Sequence, residues 1–379
     1  MQRFTPPARA LLGALGLLGF TSVLSAQTAA NSTAATTAGS AAAPGFAPVF
    51  PEGIWELSHE NDWFIHSDRD FTSGLRLAYT TPNFREWKDV PLVPVAVGNM
   101  FDQVSFISGD WATVAAGVYV QQNMYTPDDL RTNPPNPQDH PYAGWLGVGM
   151  DLIRESAERR AIFELNVGIV GPYSGAQDLQ QSFHDLIKST DPQGWDRQIQ
   201  TEPVLQLTHR QDWRLPWLTN FNAGAPQTWG YDVVTHALLT VGNGWDYAAV
   251  GGMFRIGYHL PLDFGPSRMR LGEISSLAYQ PGGSTATTGT NWSLDTLTTY
   301  FCIGTEARAV ARDISLNGNT WRSSAHVSQE PLVDEAYGGL VVEYGHFRGS
   351  FLIIRESKTF YSQPQKDQWR GTLSVGCSF

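Results

Sequence analysis

The twelve residues QWRGTLSVGCSF (368–379) decide how the rest of the chain is read. Trp369, Gly371, Leu373, Val375, Cys377 and Phe379 fall on one face; Arg370, Thr372, Ser374, Gly376 and Ser378 fall on the other. A period of two marks a β-strand, because successive side chains leave opposite faces of a pleated backbone. The same period recurs upstream. In 142–152 Tyr142, Gly144, Leu146, Val148, Met150 and Leu152 share a face. In 161–169 Ala161, Phe163, Leu165, Val167 and Ile169 alternate with Glu164, Asn166 and Gly168. In 336–344 Ala336, Gly338, Leu340, Val342 and Tyr344 stand opposite Glu335, Tyr337 and Glu343. Alternation is common to soluble sandwiches and membrane barrels, so by itself it leaves both open.

Two features separate them. The alternating runs are about 10–14 residues long, where soluble strands average about 5–6 and membrane-crossing strands need roughly 9–11. The last run also ends on Phe379, which resembles the C-terminal sorting signal of bacterial outer-membrane barrels. Strands are predicted over 53–61, 71–81, 111–124, 142–154, 159–170, 199–210, 231–242, 246–259, 298–312, 334–346, 349–361 and 368–379. The count is even, as single-chain bacterial barrels require. The expected fold is therefore all-β: a transmembrane antiparallel up-and-down β-barrel of about 12 strands, with one short outer-loop helix. With both ends periplasmic, the outer loops fall at 62–70, 125–141, 171–198, the Asn243-Gly244 turn, 313–333 and 362–367. Long inner connections are expected at 82–110, 211–230 and 260–297.

The helix is expected from Gln177 to Lys188. Ser174 and Gln177 have capping-box spacing, Leu179, Phe183, Leu186 and Ile187 form an apolar stripe, and Asp191-Pro192 with Gly194 stops it. Gln180 and His184, four apart, project from one face beside that stripe.

Composition narrows the compartment. The 379 residues are 42% hydrophobic and 16% charged, and 12% aromatic with 13 Trp and 13 Tyr, which suits a β protein with many interface rings. Lys and Arg number 25 against 36 Asp and Glu; this balance argues against a nucleic-acid partner, which needs a basic face. Two cysteines, Cys302 and Cys377, exclude a disulfide scaffold and a Cys-based zinc cluster, and leave one disulfide open. At the N-terminus Arg3 and Arg9 precede an apolar run from Ala10 to Leu24 and a small-residue site at Ser25-Ala26, the pattern of a secretory signal peptide over residues 1–26. That run is too short for a retained membrane helix. Residues 27–49, mostly Ala, Thr and Ser, read as a flexible lead, and 50–379 as the outer-membrane β-barrel domain. No serine sits in a G-x-S-x-G elbow, so a soluble α/β-hydrolase is unsupported.

The expected topology collects polar residues at the outer rim. Asn61-Asp62 closes the first strand, Thr72 opens the second, and His184 rides on the helix of the third outer loop. A carboxylate, an amide, a hydroxyl and an imidazole meeting there would bind an oxygen-ligated cation and activate water. Each has a plainer reading beside it. Asp62, with Asp68 and Asp70, also fits a solvated acidic turn, His184 a satisfied helix histidine, and Asn61 and Thr72 ordinary turn residues. The remaining histidines show no metal-site spacing.

Six ordered stretches add to this. HENDWF (59–64), DRDFTSGLRLAYT (68–80), QNMYTP (122–127), HPYAGWL (140–146), GPYSGAQDLQQSFH (171–184) and GWDRQIQTEP (194–203) together resemble the outer-membrane lipid A deacylase family (LpxR-like), from about residue 53 onward. The resemblance implies a twelve-stranded barrel of the bacterial cell outer membrane that hydrolyses the 3′-acyloxyacyl ester of lipid A, in lipopolysaccharide, in a calcium-dependent manner. The family's Asn-Asp pair falls on Asn61 and Asp62, its Tyr-Thr-x-Gly hydroxyl on Thr72, and its helical Gln-x-x-x-His on Gln180 and His184. The resemblance implies His184 as general base and Asp62 as the calcium ligand, with Asn61 and Thr72 positioning water or donating to the oxyanion. Gln180 would orient the imidazole or the ester. Two departures bear on the substrate. A family lysine of the second outer loop has at best Arg131 here, and a Glu and a Tyr after the histidine meet Thr190 and Pro192. Two rival readings remain, a non-catalytic outer-membrane barrel with a structural or transport role and a secreted β-sandwich binding module.

Overall fold

A computed structural model describes residues 53–62, 70–104, 111–187, 191–220, 229–275 and 297–378. The signal peptide and lead expected over 1–26 and 27–49 lie outside the described residues, as do Asp68, Thr190 and Phe379.

The strands are β1 (Ile54–Asn61), β2 (Asp70–Thr80), β3 (Thr113–Thr126), β4 (Ala143–Glu155), β5 (Arg159–Val170) and β6 (Glu202–Arg214). They continue as β7 (Trp229–Gly242), β8 (Trp245–Tyr258), β9 (Thr298–Asp313), β10 (Leu332–Tyr344), β11 (Phe347–Ser357) and β12 (Asp367–Ser378). Each pairs antiparallel with its neighbours in sequence, and β1 closes on β12, with Ile54 opposite Ser378 and Asn61 opposite Gly371. The result is a closed twelve-stranded barrel, as expected, and it removes the sandwich reading. Closure leaves no strand edge unpaired, which is what allows a sheet to stand in hydrocarbon.

Burial is inverted relative to a water-soluble domain. Leu57, Leu77, Val120, Val148, Leu207 and Val375 are exposed on the outer wall, whereas Glu56, Glu60, Arg76, Arg255 and Arg370 are buried inside. Trp55, Trp213, Trp229, Tyr231 and Phe347 stand exposed at the end where β1 begins, in the position of an interfacial aromatic girdle. No described helix is long and apolar enough to cross a membrane; the strands do the crossing. Cys302 and Cys377 are both free, so the disulfide left open by composition does not form.

Eight strands enclose a space that side chains alone can fill, and twelve enclose more. Here the inner connection after β8 fills it. Instead of hanging free, 260–275 enters the lumen. Arg268 meets Glu273, Glu306 and Glu335, Arg270 meets Glu335 and Glu356, Gly272 N donates to Glu164 Oε2 at 2.8 Å, and Ser275 Oγ donates to Glu56 Oε2 at 2.6 Å. Arg370 on β12 completes the lattice with Glu60, Glu335 and Glu356. The pairing is required, because an unpaired buried ion costs several kcal/mol.

The first long inner connection goes the other way, onto the outside. After β2 the chain makes a short turn (Trp87–Asp89) and a helix, α1 (Val95–Gln103). Trp87, Val90 and Val93, with Val97 and Phe101, pack against Val114, Ala116, Met150 and Leu152, which β3 and β4 turn outward.

Candidate active site

The residues singled out at the outer rim can be followed strand by strand. On β1 the odd positions face out: Trp55 and Leu57 are exposed, His59 is half-buried, and Asn61 is next. Yet Asn61 and Asp62 are buried, so at this level the wall is covered.

Thr72 owes its direction to a bulge. Asp70 stands opposite Thr126, Phe71 opposite Tyr125 and Ser73 opposite Met124, which leaves Thr72 as the extra residue. Inside the bulge Phe71 and Tyr125 face the lumen, where both line a cavity of about 100 Å³ at the outer mouth. Thr126 follows Tyr125 and so faces outward, and Thr72 Oγ1 lies 2.6 Å from Thr126 Oγ1. The bulge has therefore turned Thr72 to the outside of the barrel. Asp70 opens it with φ 60, a left-handed value uncommon outside glycine. Bulges that re-aim one side chain are frequent beside functional sites.

The cover is the third outer loop. Its helix, α2 (Ala176–Ile187), lies on the outward faces of β3 and β4, where Ala176 and Trp195 cluster with Met124 and Tyr142. Gln122 Nε2 donates to Ser174 O at 2.6 Å. Gly144 permits the approach: a Cβ there would stand 2.2 Å from Ser174 Oγ and 2.4 Å from Ala176 Cβ. The second outer loop clasps the third through Asn133 Nδ2, which donates to Gln193 O at 2.9 Å and Asp196 Oδ1 at 3.0 Å.

Two details differ from expectation. The capping box is only half made. A 3₁₀ turn (Pro172–Ser174) and left-handed Gly175 precede the helix, so Ser174 N donates to Gly171 O at 2.9 Å and not to Gln177. Ser174 Oγ accepts from Ala176 N at 3.4 Å. The buried stripe also differs. Ala176, Gln180 and His184 are buried, Leu179 packs against the Met124 cluster, and Phe183 is exposed. Beyond this helix lies the outer leaflet, so an apolar ring can face outward and the polar groups turn to the protein.

Gln180 is oriented by Trp195, from the 194–203 stretch, to which no role attaches in the sequence. Trp195 Nε1 donates to Gln180 Oε1 at 2.7 Å. An indole N–H can only donate, so the amide cannot be the other way round. Gln180 Nε2 is then a buried donor with no partner among the described residues.

Asn61 and Thr72 thus lie on the outward side of neighbouring β1 and β2, Asp62 follows Asn61, Gln180 and His184 ride on the helix over β3–β4, and none of the five lines the lumen cavity. His140, from the second outer loop, is a packing ring. It stacks on Tyr125, abuts Phe360, and burial lowers its pKa below the ordinary imidazole value. Arg131 is exposed on the same loop and Pro192 is buried. Among the described residues no three His, Cys, Asp or Glu side chains are grouped to hold a metal. A cation at Asp62 would rest on one carboxylate with amide, hydroxyl and main-chain oxygens, a hard-donor set that suits calcium and not zinc.

A family model described as outer membrane protein LpxR matches residues 18–379. Among solved structures, LpxR from Salmonella typhimurium has a TM-score of 0.65 at 16% identity, covering 86% of this chain and 100% of that one. The β-domain of the Bordetella autotransporter BrkA has a TM-score of 0.37 at 9% identity, covering 86% and 98%. No curated protein matches the chain. The first structural likeness speaks for the fold, and the family model speaks for descent over nearly the whole length. The chain belongs to the LpxR outer membrane protein family.

Proposed function

We propose that this barrel is a calcium-dependent lipid A 3′-O-deacylase-like esterase that hydrolyses an acyl ester of lipid A, in lipopolysaccharide, with water activated by His184. The observation that carries the reading is the polar stripe of α2: Gln180 and His184 are buried at the lipid-facing rim, on a helix over β3 and β4, next in the sheet to β1 and β2, which lead to Asn61, Asp62 and Thr72. A site on the outer wall receives an acylated glycolipid sideways from the leaflet, with no passage through the lumen.

His184 takes a proton from water as the water oxygen attacks the ester carbonyl carbon. The carbonyl oxygen becomes an oxyanion, and Gln180 Nε2, kept free by Trp195, donates to it. Collapse breaks the bond to the sugar oxygen, and that alkoxide takes the proton back from His184, leaving a free fatty acid and a hydroxyl. Thr72, held at 2.6 Å by Thr126, and Asn61 position the water. Asp62 would hold the calcium, which when bound would supply positive charge near the oxyanion.

Mass spectrometry of lipid A from cells expressing wild type or His184→Ala tests this. The expected result is lipid A lacking one acyl group with wild type only. Fully acylated lipid A in both would leave a non-catalytic barrel. Thorough chelation should abolish activity in a detergent assay; activity that survives it would remove calcium from the proposal.

A further inference from the structure

The outer wall of β3 and β4 carries a second covered region, at the opposite end from α2. Met150 and Leu152 stand directly across the β4–β5 ladder from Leu165 and Phe163, on the same outward face. Leu165 is 45% exposed and Phe163 38%, as befits residues facing lipid, whereas Met150 and Leu152 lie beneath the segment 84–104. Whatever covers a lipid-facing wall at that depth must itself face lipid.

The segment is built for this. Its backbone groups are largely satisfied within the helix and the preceding turn, and Asp102 pins the two together by accepting from Trp87 N at 2.8 Å and Lys88 N at 3.2 Å. Gly98 lets them touch: a Cβ there would stand 2.5 Å from Lys88 Cα. Val97 and Phe101 seat the helix on the wall. By helical spacing Met100 stands on the flank beside Val97, with Val104 just past the helix end, and these are 54% and 40% exposed. Asn99 and Gln103, also exposed, stand on the side turned away from Val97 and Phe101. Nearby, Trp111 is stacked by Arg154 at 4.9 Å and Arg159 at 4.4 Å, an aromatic–cationic grouping typical of the headgroup level.

We infer that 84–104 is an in-plane membrane element, with Met100 and Val104 in the acyl chains of inner-leaflet phospholipid. The partner is the lipid surface itself, because the patch continues the exposed wall of β5 without a break. The element fixes the depth and tilt of the two strands that carry α2 at their other end.

The test uses the full barrel in phosphatidylethanolamine/phosphatidylglycerol vesicles, with Cys302→Ala and Cys377→Ser as background. Nitroxides are placed singly at Met100→Cys and Val104→Cys, with Leu165→Cys as lipid reference and Lys88→Cys as aqueous reference. Heat-modifiable migration identifies the variants that fold. The ratio of collision with oxygen to collision with a water-soluble nickel chelate should be within about twofold of the Leu165→Cys value at both positions. It should also be about tenfold above the Lys88→Cys value. Ratios like that at Lys88 would overturn the inference, and so would labels shielded from both reagents, which would mean that protein covers the patch.

Discussion

The arginine–carboxylate lattice around 260–275 and the outer rim treat buried polar groups in opposite ways. In the lattice around 260–275 the guanidinium groups are saturated: Arg268 and Arg370 each meet three carboxylates, at distances such as 2.7 Å to Glu306 and 2.6 Å to Glu60. At the rim the polar groups are held but not saturated. Thr72 is turned out by a bulge, Asp70 has a left-handed backbone, and Gln180 keeps a buried N–H donor without a partner among the described residues. A saturated network resists rearrangement and fills space; a donor fixed in place with nothing to donate to is prepared for a ligand. On the proposed function the lattice is scaffold and the rim is the site.

The comparison can be broken. His184→Ala should lower lipid A deacylation by about a thousandfold or more with heat-modifiable migration unchanged, since a positioned general base contributes typically 10²–10⁴-fold. A variant that unfolded instead would make His184 part of the scaffold. Glu335→Gln should do the reverse. It leaves Arg268, Arg270 and Arg370 short of a carboxylate, and breaking a buried pair costs about 3–5 kcal/mol. The unfolding temperature on gels should fall while the rate per folded molecule stays within about twofold. If the rate collapsed as well, lumen and rim would be one unit.

Smaller effects sharpen it. Gln180→Leu should cost about a hundredfold in rate, the size expected for an oxyanion donor. Trp195→Phe keeps the ring but releases the amide, so the loss should be about fivefold, near 1 kcal/mol for one hydrogen bond. Equal losses in the two would mean that Trp195 acts through packing. The smallest expected signal is electrical: in planar bilayers the barrel should show no steady pore current, because 260–275 occupies the lumen. A stable open current would favour the transport reading.

Several features could not be read from sequence, each for an identifiable reason. The segment 260–275 reads as a loop because its partners are remote: Ser275 bonds Glu56 and Arg268 bonds Glu335. The bulge at Thr72 is a property of the β2–β3 pairing, not of either strand. The stripe of α2 was misjudged at Phe183 because amphipathic reasoning takes water to be outside, and here the outside is lipid. The role of Trp195 depends on a contact fifteen residues away across a turn.

By itself the amino-acid order determined the twelve strands, the two alternating faces of those with the clearest period, and the helix that carries Gln180 and His184. These follow from the local directions of successive side chains, a period of two in strands and 3.6 in helices. Only the tertiary structure decided which loop enters the lumen, which lie on the wall, and which buried groups are left to receive a ligand. Those outcomes depend on the width of the closed cylinder and on pairings between distant strands, and no short window of sequence contains either.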